Sequence, residues 1–213
     1  MDRRGQAHTL EAVVTSMLLL TSLVFALQVT AVTPLSASTS SQHIENQQQA
    51  TAEGLLEIAS REGALKPALL YGNDSADGRD DGRFGFHETS GEAFYTNDPP
   101  TNRFGALLDR TFGGEGLAYN VFVVYQTAGG DTARLRMVYQ GEPSDNAVVA
   151  TTLVTLYDGD VLHEPEADGD STDVARPTGT TLAGAGDEFY ALDANPDSPV
   201  FNVVRVEVVV WRQ

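Results

Sequence analysis

The chain has 213 residues, of which 41% are hydrophobic, so it can build a core, and disorder throughout is excluded. Its 30 acidic and 13 basic residues give a net charge of −17, which repels phosphate backbones and excludes nucleic-acid binding. The absence of cysteine excludes a disulfide framework, a thiol nucleophile and a thiolate metal site.

The basic residues are strongly biased toward arginine, because Lys66 is the only lysine. Together with the acidic excess, this bias resembles the protein composition of salt-in halophiles. In molar salt the Debye length falls to about 3 Å, so a strongly acidic surface repels itself little and stays hydrated. We therefore interpret the acidity as an adaptation to the medium.

An uncharged, largely apolar segment covers residues 12–33. At a rise of about 1.5 Å per residue it spans about 33 Å, which matches the hydrocarbon core of a bilayer. It predicts a single transmembrane helix that is kinked or ended by Pro34. Arg3 and Arg4 precede the segment and the next basic residue is Arg61. The positive-inside rule therefore places the N-terminus in the cytoplasm and the C-terminal part outside the cell.

Three kinds of N-terminal segment compete for this pattern: a permanent signal anchor, a secretory signal peptide, and the leader of a prepilin-like protein. A secretory signal peptide has an apolar region of about 7–15 residues and then a small-x-small cleavage site. Here the apolar run is longer, and Ala31-Val32-Thr33 and Ser36-Ala37-Ser38 only approximate such a site. The pattern therefore favours a helix that stays on the mature protein.

The residues in front of the apolar run carry a more specific signal. Arg4-Gly5-Gln6, followed by Ala7-His8-Thr9-Leu10-Glu11, resembles the class III signal peptide of archaeal type IV pilin-like proteins. The resemblance implies that a prepilin peptidase cuts between Gly5 and Gln6 and leaves the whole apolar helix on the mature chain. Glu11 then becomes the sixth mature residue, one position later than the family's glutamate.

Glu11 lies at the rim of the predicted membrane helix, where a carboxylate is costly to bury alone. In a filament, the α-amino group of a neighbouring subunit is one cation that would neutralise it. In a simple anchor, the same carboxylate lies in water at the level of the lipid headgroups. The predicted partners are the lipid bilayer, a prepilin peptidase and pilin-like subunits, and residues 1–11 form the cytoplasmic leader.

A second helix is predicted after the membrane segment. Residues 40–62 are rich in helix formers and carry apolar side chains at helical spacing, and Gly63 is predicted to end the helix. If residues 34–41 are also helical, the membrane and soluble segments form one shaft, within a helical stalk that covers residues 34–70. His43 has no metal-ligand partner at suitable spacing and is predicted to be solvated.

A long acidic surface loop is predicted from Tyr71 to about Gly105, because Gly, Asp, Asn and Pro are dense there and no hydrophobic period is sustained. This loop opens the predicted extracytoplasmic β-rich domain, residues 71–213. Asn73-Asp74-Ser75 is an N-glycosylation sequon, which has meaning only on the extracytoplasmic side.

The same loop partly matches a calcium-binding pattern. Asp77, Asp81 and Glu88 fall at its first, fifth and twelfth positions. Arg79 stands at the third position and repels a cation, so a solvated acidic loop is favoured and no metal site is predicted. The segment 168–172, DGDST, resembles a phosphatase motif, but it does not follow a buried hydrophobic strand and is interpreted as acidic loop.

Four strands are predicted in the C-terminal part. Residues 119–126 and 133–140 form a hairpin, residues 147–157 a third strand, and Val200–Trp211 a fourth with valines on one face. Residues 158–199 are predicted to be mostly loop, with a possible short strand at Asp160–His163. An antiparallel sheet with one apolar face needs a cover, and the helix at 40–62 supplies it. The predicted fold class is α+β.

No catalytic constellation is recognisable, since the four histidines lie in different contexts and no nucleophile, phosphate-binding or metalloprotease motif occurs. We therefore expect neither an enzyme nor a cofactor. The preferred hypothesis is a pilin-like, membrane-inserted surface protein of a halophilic archaeon that serves as a minor subunit of a type IV pilus-like filament or assembly system. The alternative is a solitary membrane-anchored binding or adhesion domain, and a tethered hydrolase comes third.

Overall fold

The computed structural model describes residues 3–30, 35–73, 84–89, 92–114, 116–165 and 175–212. The chain divides into two compact units, Met1–Ile44 and Glu45–Gln213. We call the first the N-terminal segment and the second the body. Part of the predicted stalk, residues 45–70, therefore belongs to the body.

Two long helices occupy the first 61 residues. Helix α1 is Arg3–Thr30 and helix α2 is Leu35–Arg61. Both begin earlier than the predicted starts at residues 12 and 40, because charged and hydroxyl side chains mark the edge of a hydropathy window without interrupting the backbone hydrogen bonds of a helix. Residues 31–34 lie outside the described residues, so the predicted break at Pro34 and the predicted continuous shaft do as well.

The end of α2 confirms the predicted stop at Gly63. This glycine has a φ of 68°, which a residue with a side chain adopts only at a cost. The Ala64 amide donates to the Ala59 carbonyl at 2.8 Å and the Gly63 amide donates to the Ser60 carbonyl at 3.1 Å. These two bonds form a Schellman motif, and the short helix α3, Leu65–Leu69, follows it.

The predicted loop from 71 to 105 contains more structure than its composition indicates. Strands β1, Gly72–Asn73, and β2, Gly85–Phe86, pair antiparallel. Helix α4, Arg103–Phe112, begins inside the predicted loop. The Oδ1 atom of Asn102 accepts a hydrogen bond from the Gly105 amide at 3.0 Å and caps this helix. The cap and the apolar spacing after it were a helix signal that the dense turn residues obscured.

The four predicted strands are all present and form one antiparallel sheet. They are β3, Leu117–Gln126, β4, Thr132–Tyr139, β5, Val148–Tyr157, and β8, Val200–Arg212. Their spatial order is β4-β3-β8-β5, so the C-terminal strand β8 lies between β3 and β5.

The stretch 158–199 was predicted to be mostly loop and instead holds a second pair of strands. Strand β6, Val161–Pro165, extends the possible short strand, and β7, Ala175–Thr181, pairs with it antiparallel. Strand β7 contains Pro177 and Gly179, which are poor strand formers, so tertiary pairing overrides local propensity. A short helix, α5, Leu182–Ala185, and a 3₁₀ turn, Gly186–Glu188, complete the segment.

The core of the body lies between the sheet and the helices. Ala52, Leu55, Leu56 and Ala59 of α2 are buried in one cluster with the alternate valines of β8. Helix α4 contributes Phe104, Leu108 and Phe112 to the same cluster. The predicted α+β class, with a helix covering an antiparallel sheet, is therefore confirmed.

The sheet is apolar on more than one face, which corrects the prediction of a single apolar face. A second cluster contains Ala118, Phe122, Val209 and Trp211, packed by Tyr139 and Ala147. Register partners share a side of the sheet, so Val209, Glu207 and Arg205 of β8 lie on the same side as Val149, Thr151 and Leu153 of β5. We call this side, away from the core valines, the outer face.

Candidate functional site

Helix α1 carries the membrane-compatible part of the chain. Its window His8–Leu27 has a mean hydropathy of 2.1, and none of the window is buried. Leu10, Met17 and Phe25 are each at least 68% exposed. By length and composition this one helix can cross a bilayer, which agrees with the single-pass prediction.

The hydroxyl groups inside α1 bond within the helix. Thr15 Oγ1 donates to the Glu11 carbonyl at 2.8 Å, and Thr21 Oγ1 donates to the Met17 carbonyl at 2.7 Å. Ser16 makes the same contact with Ala12 at 2.6 Å. The hydroxyl hydrogens of these side chains are therefore already hydrogen-bonded within the helix, which lowers the cost of placing the side chains in an apolar environment.

The predicted processing and assembly residues lie on one helical segment. Gly5 and Gln6 fall within the first two turns of α1, so the predicted scissile bond lies inside a helix. Glu11 lies one turn further on, and its side chain is 77% exposed. Its Oε2 atom is 3.7 Å from Nδ1 of His8, so a protonated His8 is a partial counter-charge within the same helix.

The loop carboxylates predicted as weak metal candidates divide into two sets. Asp77 and Asp81 lie outside the described residues, as does the DGDST segment at 168–172. Glu88 is described, has a φ of 60°, and accepts hydrogen bonds on Oε2 from Tyr71 at 2.6 Å and from the Thr101 hydroxyl. The Glu88 carboxylate therefore links its turn to Tyr71, a buried residue that precedes β1.

Asn73, the glycosylation candidate, does not lie in an open loop. It is the second residue of β1, pairs with Gly85 in register, and is partly buried. The sequon remains a prediction, since Asp74 and Ser75 lie outside the described residues.

His43 belongs to the N-terminal segment, whereas His87 and His163 belong to the body and both neighbour Tyr71. His43 is exposed, the ring of His87 packs edge-on against Tyr71 with centroids 5.3 Å apart, and His163 lies in β6. Burial lowers the pKa of His163, against a hydrogen bond to the Val161 carbonyl that raises it. Across the described ranges, no group of three His, Asp or Glu residues is placed to hold a metal ion.

A groove on the outer face is the surface that sequence reasoning missed. It has a volume of about 620 Å³ and is lined by Phe122, Arg134, Arg136, Tyr139, Glu142, Pro143, Ala147, Val149 and Val209. Tyr139 donates its hydroxyl to Glu142 at 2.9 Å, and this bond raises the pKa of Tyr139. A signal for this groove is present in the sequence of β8, whose positions on this side include Val203, Val209 and Trp211. A fully solvated face would favour polar residues at these positions.

Two arginines of the groove are held by aromatic rings. The Arg134 guanidinium lies 3.5 Å from the ring centroid of Phe122, and that of Arg136 lies 4.3 Å from the centroid of Tyr139. Arg134 also forms an ion pair with Glu207 at 3.0 Å. Both guanidinium groups therefore lie within cation–π distance of an aromatic ring of the same face.

The fold and these surfaces define a protein with an α+β body and, among the described residues, one helix long and apolar enough to cross a membrane. A family of unknown function, DUF7288, matches residues 4–210, and the chain belongs to this family. No curated protein and no solved structure matches the chain.

Proposed function

We propose that the chain is a pilin-like surface subunit, inserted in the cell membrane by α1 and able to assemble through this helix into a type IV pilus-like filament or assembly system. The N-terminus lies in the cytoplasm and the body outside the cell. A prepilin peptidase removes the residues up to Gly5.

The observation that carries this proposal is the exposure of the apolar surface of α1. Phe25 and Leu10 are 68% and 70% exposed, and the window around them is not covered by any other described part of the chain. Exposed apolar area costs about 25 cal/mol per Å² in water, so a 20-residue window of this kind needs lipid or other helices around it. A bilayer supplies the first surrounding and a filament core the second.

The polar pattern of the same helix supports assembly over a plain anchor. Arg3, Arg4 and Gly5 precede the apolar window in the order of a class III leader, and Glu11 lies at the rim of that window. After a cut at Gly5, the new α-amino group at Gln6 and the carboxylate of Glu11 are opposite charges on one helix end. In a bundle of such helices, each carboxylate has a neighbour's amine available.

The deciding experiment is the mass of the mature chain in membrane and surface fractions. We expect a chain that begins at Gln6 with a free α-amino group. In Gly5→Phe the bulky side chain blocks the peptidase, and the chain keeps its first five residues. Thr9→Phe is the matched control, because it adds the same ring within the same helix segment away from the scissile bond, and it is processed normally.

Other masses separate the competing functions. An uncut wild-type chain, or normal processing of Gly5→Phe, overturns the leader and favours the solitary membrane-anchored domain, whose binding surface is then the groove of the outer face. A chain that begins beyond residue 33 indicates secretion and overturns both membrane functions.

Orientation is testable separately, because the chain has no cysteine. Ser60→Cys introduces one thiol at an exposed position of α2 within the body. A membrane-impermeant maleimide labels it in intact cells if the body is extracytoplasmic. Labelling only after lysis reverses the proposed orientation.

A further inference from the structure

The outer face of the sheet combines a local excess of positive charge with uncovered apolar side chains. Arg134, Arg136 and Arg205 lie on it, which is a quarter of the chain's twelve arginines in a protein of net charge −17. Leu153 and Val149 of the same face are 67% and 48% exposed. The rest of the chain is correspondingly more acidic.

The ion pairs of this face do not neutralise it. Glu207 accepts contacts from both Arg134, at 3.0 Å, and Arg205, at 2.9 Å, so one carboxylate serves two cations. Arg136 stacks on Tyr139 and forms no ion pair with any carboxylate in the described ranges. Glu142 at the rim is the second carboxylate of this surface, so three arginines stand against two carboxylates and one positive charge remains.

We propose that the outer face docks the acidic surface of a second copy of this chain. Charge favours this occupant, because the outer face carries more arginines than carboxylates and two such faces laid against each other would oppose like net charges. The complementary negative charge is present on every other copy, since the chain has a net charge of −17. The inference deepens the proposed function, since it names the contact between bodies in the filament.

The geometry of such a contact fits polymerisation. A positive face that meets a different, negative surface is a heterologous interface, and it leaves a free face on one copy and a free acidic surface on the next. When the rotation between copies does not close a ring, these contacts continue as an open helical filament. The exposed Leu153 and Val149 of the edge strand β5 supply apolar area beside the arginines.

The test uses the full chain, purified in detergent micelles as an equal mixture of ¹⁴N- and ¹⁵N-labelled protein. A photoreactive benzophenone residue replaces Leu153, and mass spectrometry identifies the peptides that it captures. We expect mixed-isotope crosslinks from the outer face to acidic segments of another copy. Sedimentation velocity of the unsubstituted chain is expected to show species larger than the monomer.

Charge reversal separates the docking face from charge in general. Arg136→Glu is expected to reduce the mixed-isotope crosslinks at least about tenfold, with the larger loss at low salt. Arg61→Glu is the matched control, because it makes the same change in net charge on an exposed helix position, and it leaves the crosslinks unchanged. The circular dichroism of both variants checks that the body is folded.

Each remaining outcome overturns the inference: a monomeric chain, crosslinks confined to one isotope, or equal losses in both charge variants. The failure of the proposed function is a separate result. Docking in the purified chain together with an uncut N-terminus in cells keeps the inference and refutes the pilin-type leader. A cut at Gln6 with no docking keeps the leader and refutes the inference.

Discussion

Tyr71 and Tyr190 both carry a buried hydroxyl group, one with a hydrogen-bond partner and one with none among the described residues. Replacing each tyrosine with phenylalanine removes the same oxygen atom from these two surroundings. The Tyr71 hydroxyl donates to the Glu88 carboxylate at 2.6 Å, and the side chain is 1% exposed. The Tyr190 hydroxyl is buried and has no hydrogen-bond partner among the residues that the structure describes. Its ring packs on Phe189 with centroids 4.0 Å apart.

The expected free energies have opposite signs. Tyr71→Phe removes a hydrogen bond to a charged group and leaves the Glu88 carboxylate with one donor fewer, so it lowers the free energy of unfolding by about 1.5–3 kcal/mol. Tyr190→Phe keeps the ring stacking and removes a hydroxyl that is desolvated without compensation. It raises the free energy of unfolding by up to about 1 kcal/mol.

The assay is urea unfolding of the full chain in detergent micelles, followed by fluorescence. Trp211 is the only tryptophan, lies in β8 and is 5% exposed, so its emission reports the body and not α1. The midpoint is compared between variants whose slopes agree. A loss of more than about 1 kcal/mol in Tyr190→Phe, or equal effects of the two substitutions, refutes the reasoning, because the hydroxyl of Tyr190 would then have a partner.

Three further predictions concern the stability of the body. Leu56→Ala opens a cavity between α2 and the sheet and lowers the free energy of unfolding by about 2–5 kcal/mol. Ile58→Ala, at a 48% exposed position of the same helix, changes it by no more than about 0.5 kcal/mol. Equal shifts of the melting temperature in the two variants would contradict the packing of α2 on the sheet. Gly54→Ala stabilises α2 by about 0.5–1 kcal/mol, because a Cβ meets open space there. Gly63→Ala lowers the free energy of unfolding by about 1–2 kcal/mol, because Gly63 has a φ of 68°. Chemical denaturation that shifts the stability of both variants in the same direction would refute this reasoning. Stability falls as the pH rises above about 10, because burial raises the pKa of Tyr190 and also that of Tyr119, and the unfolded chain ionises first. Each of these tyrosines contributes a slope of up to about 1.4 kcal/mol per pH unit, so Tyr190→Phe reduces the slope by about that amount, and an unchanged slope contradicts the burial of its hydroxyl.

Local patterns predicted most of the regular structure. The charge-free run at 12–33 predicted the core of α1, and the alternation of valines in Val200–Trp211 predicted β8 to within one residue. The weaker signals failed where composition argued against structure. Helix α4 begins inside a stretch dense in turn residues, and β7 contains proline and glycine, so both depend on packing partners distant in sequence.

The candidate surfaces divide in the same way. The leader residues and Glu11 could be named from the sequence, because a membrane helix and its rim are defined by consecutive residues. The outer face could not, because its charges come together only through strand register. Arg134 of β4 reaches Glu207 of β8 across the intervening β3, although the two residues are 73 positions apart in the chain.

By itself, the sequence determined that this protein has one apolar helix long enough for a bilayer, an acidic chain around it, and strands of period two. These properties depend on the hydropathy and charge of neighbouring residues. The tertiary structure decided which face of the sheet the helices cover and which face brings Arg134, Arg136 and Arg205 together. Those choices depend on strand order and register, through which side chains distant in the chain share one surface.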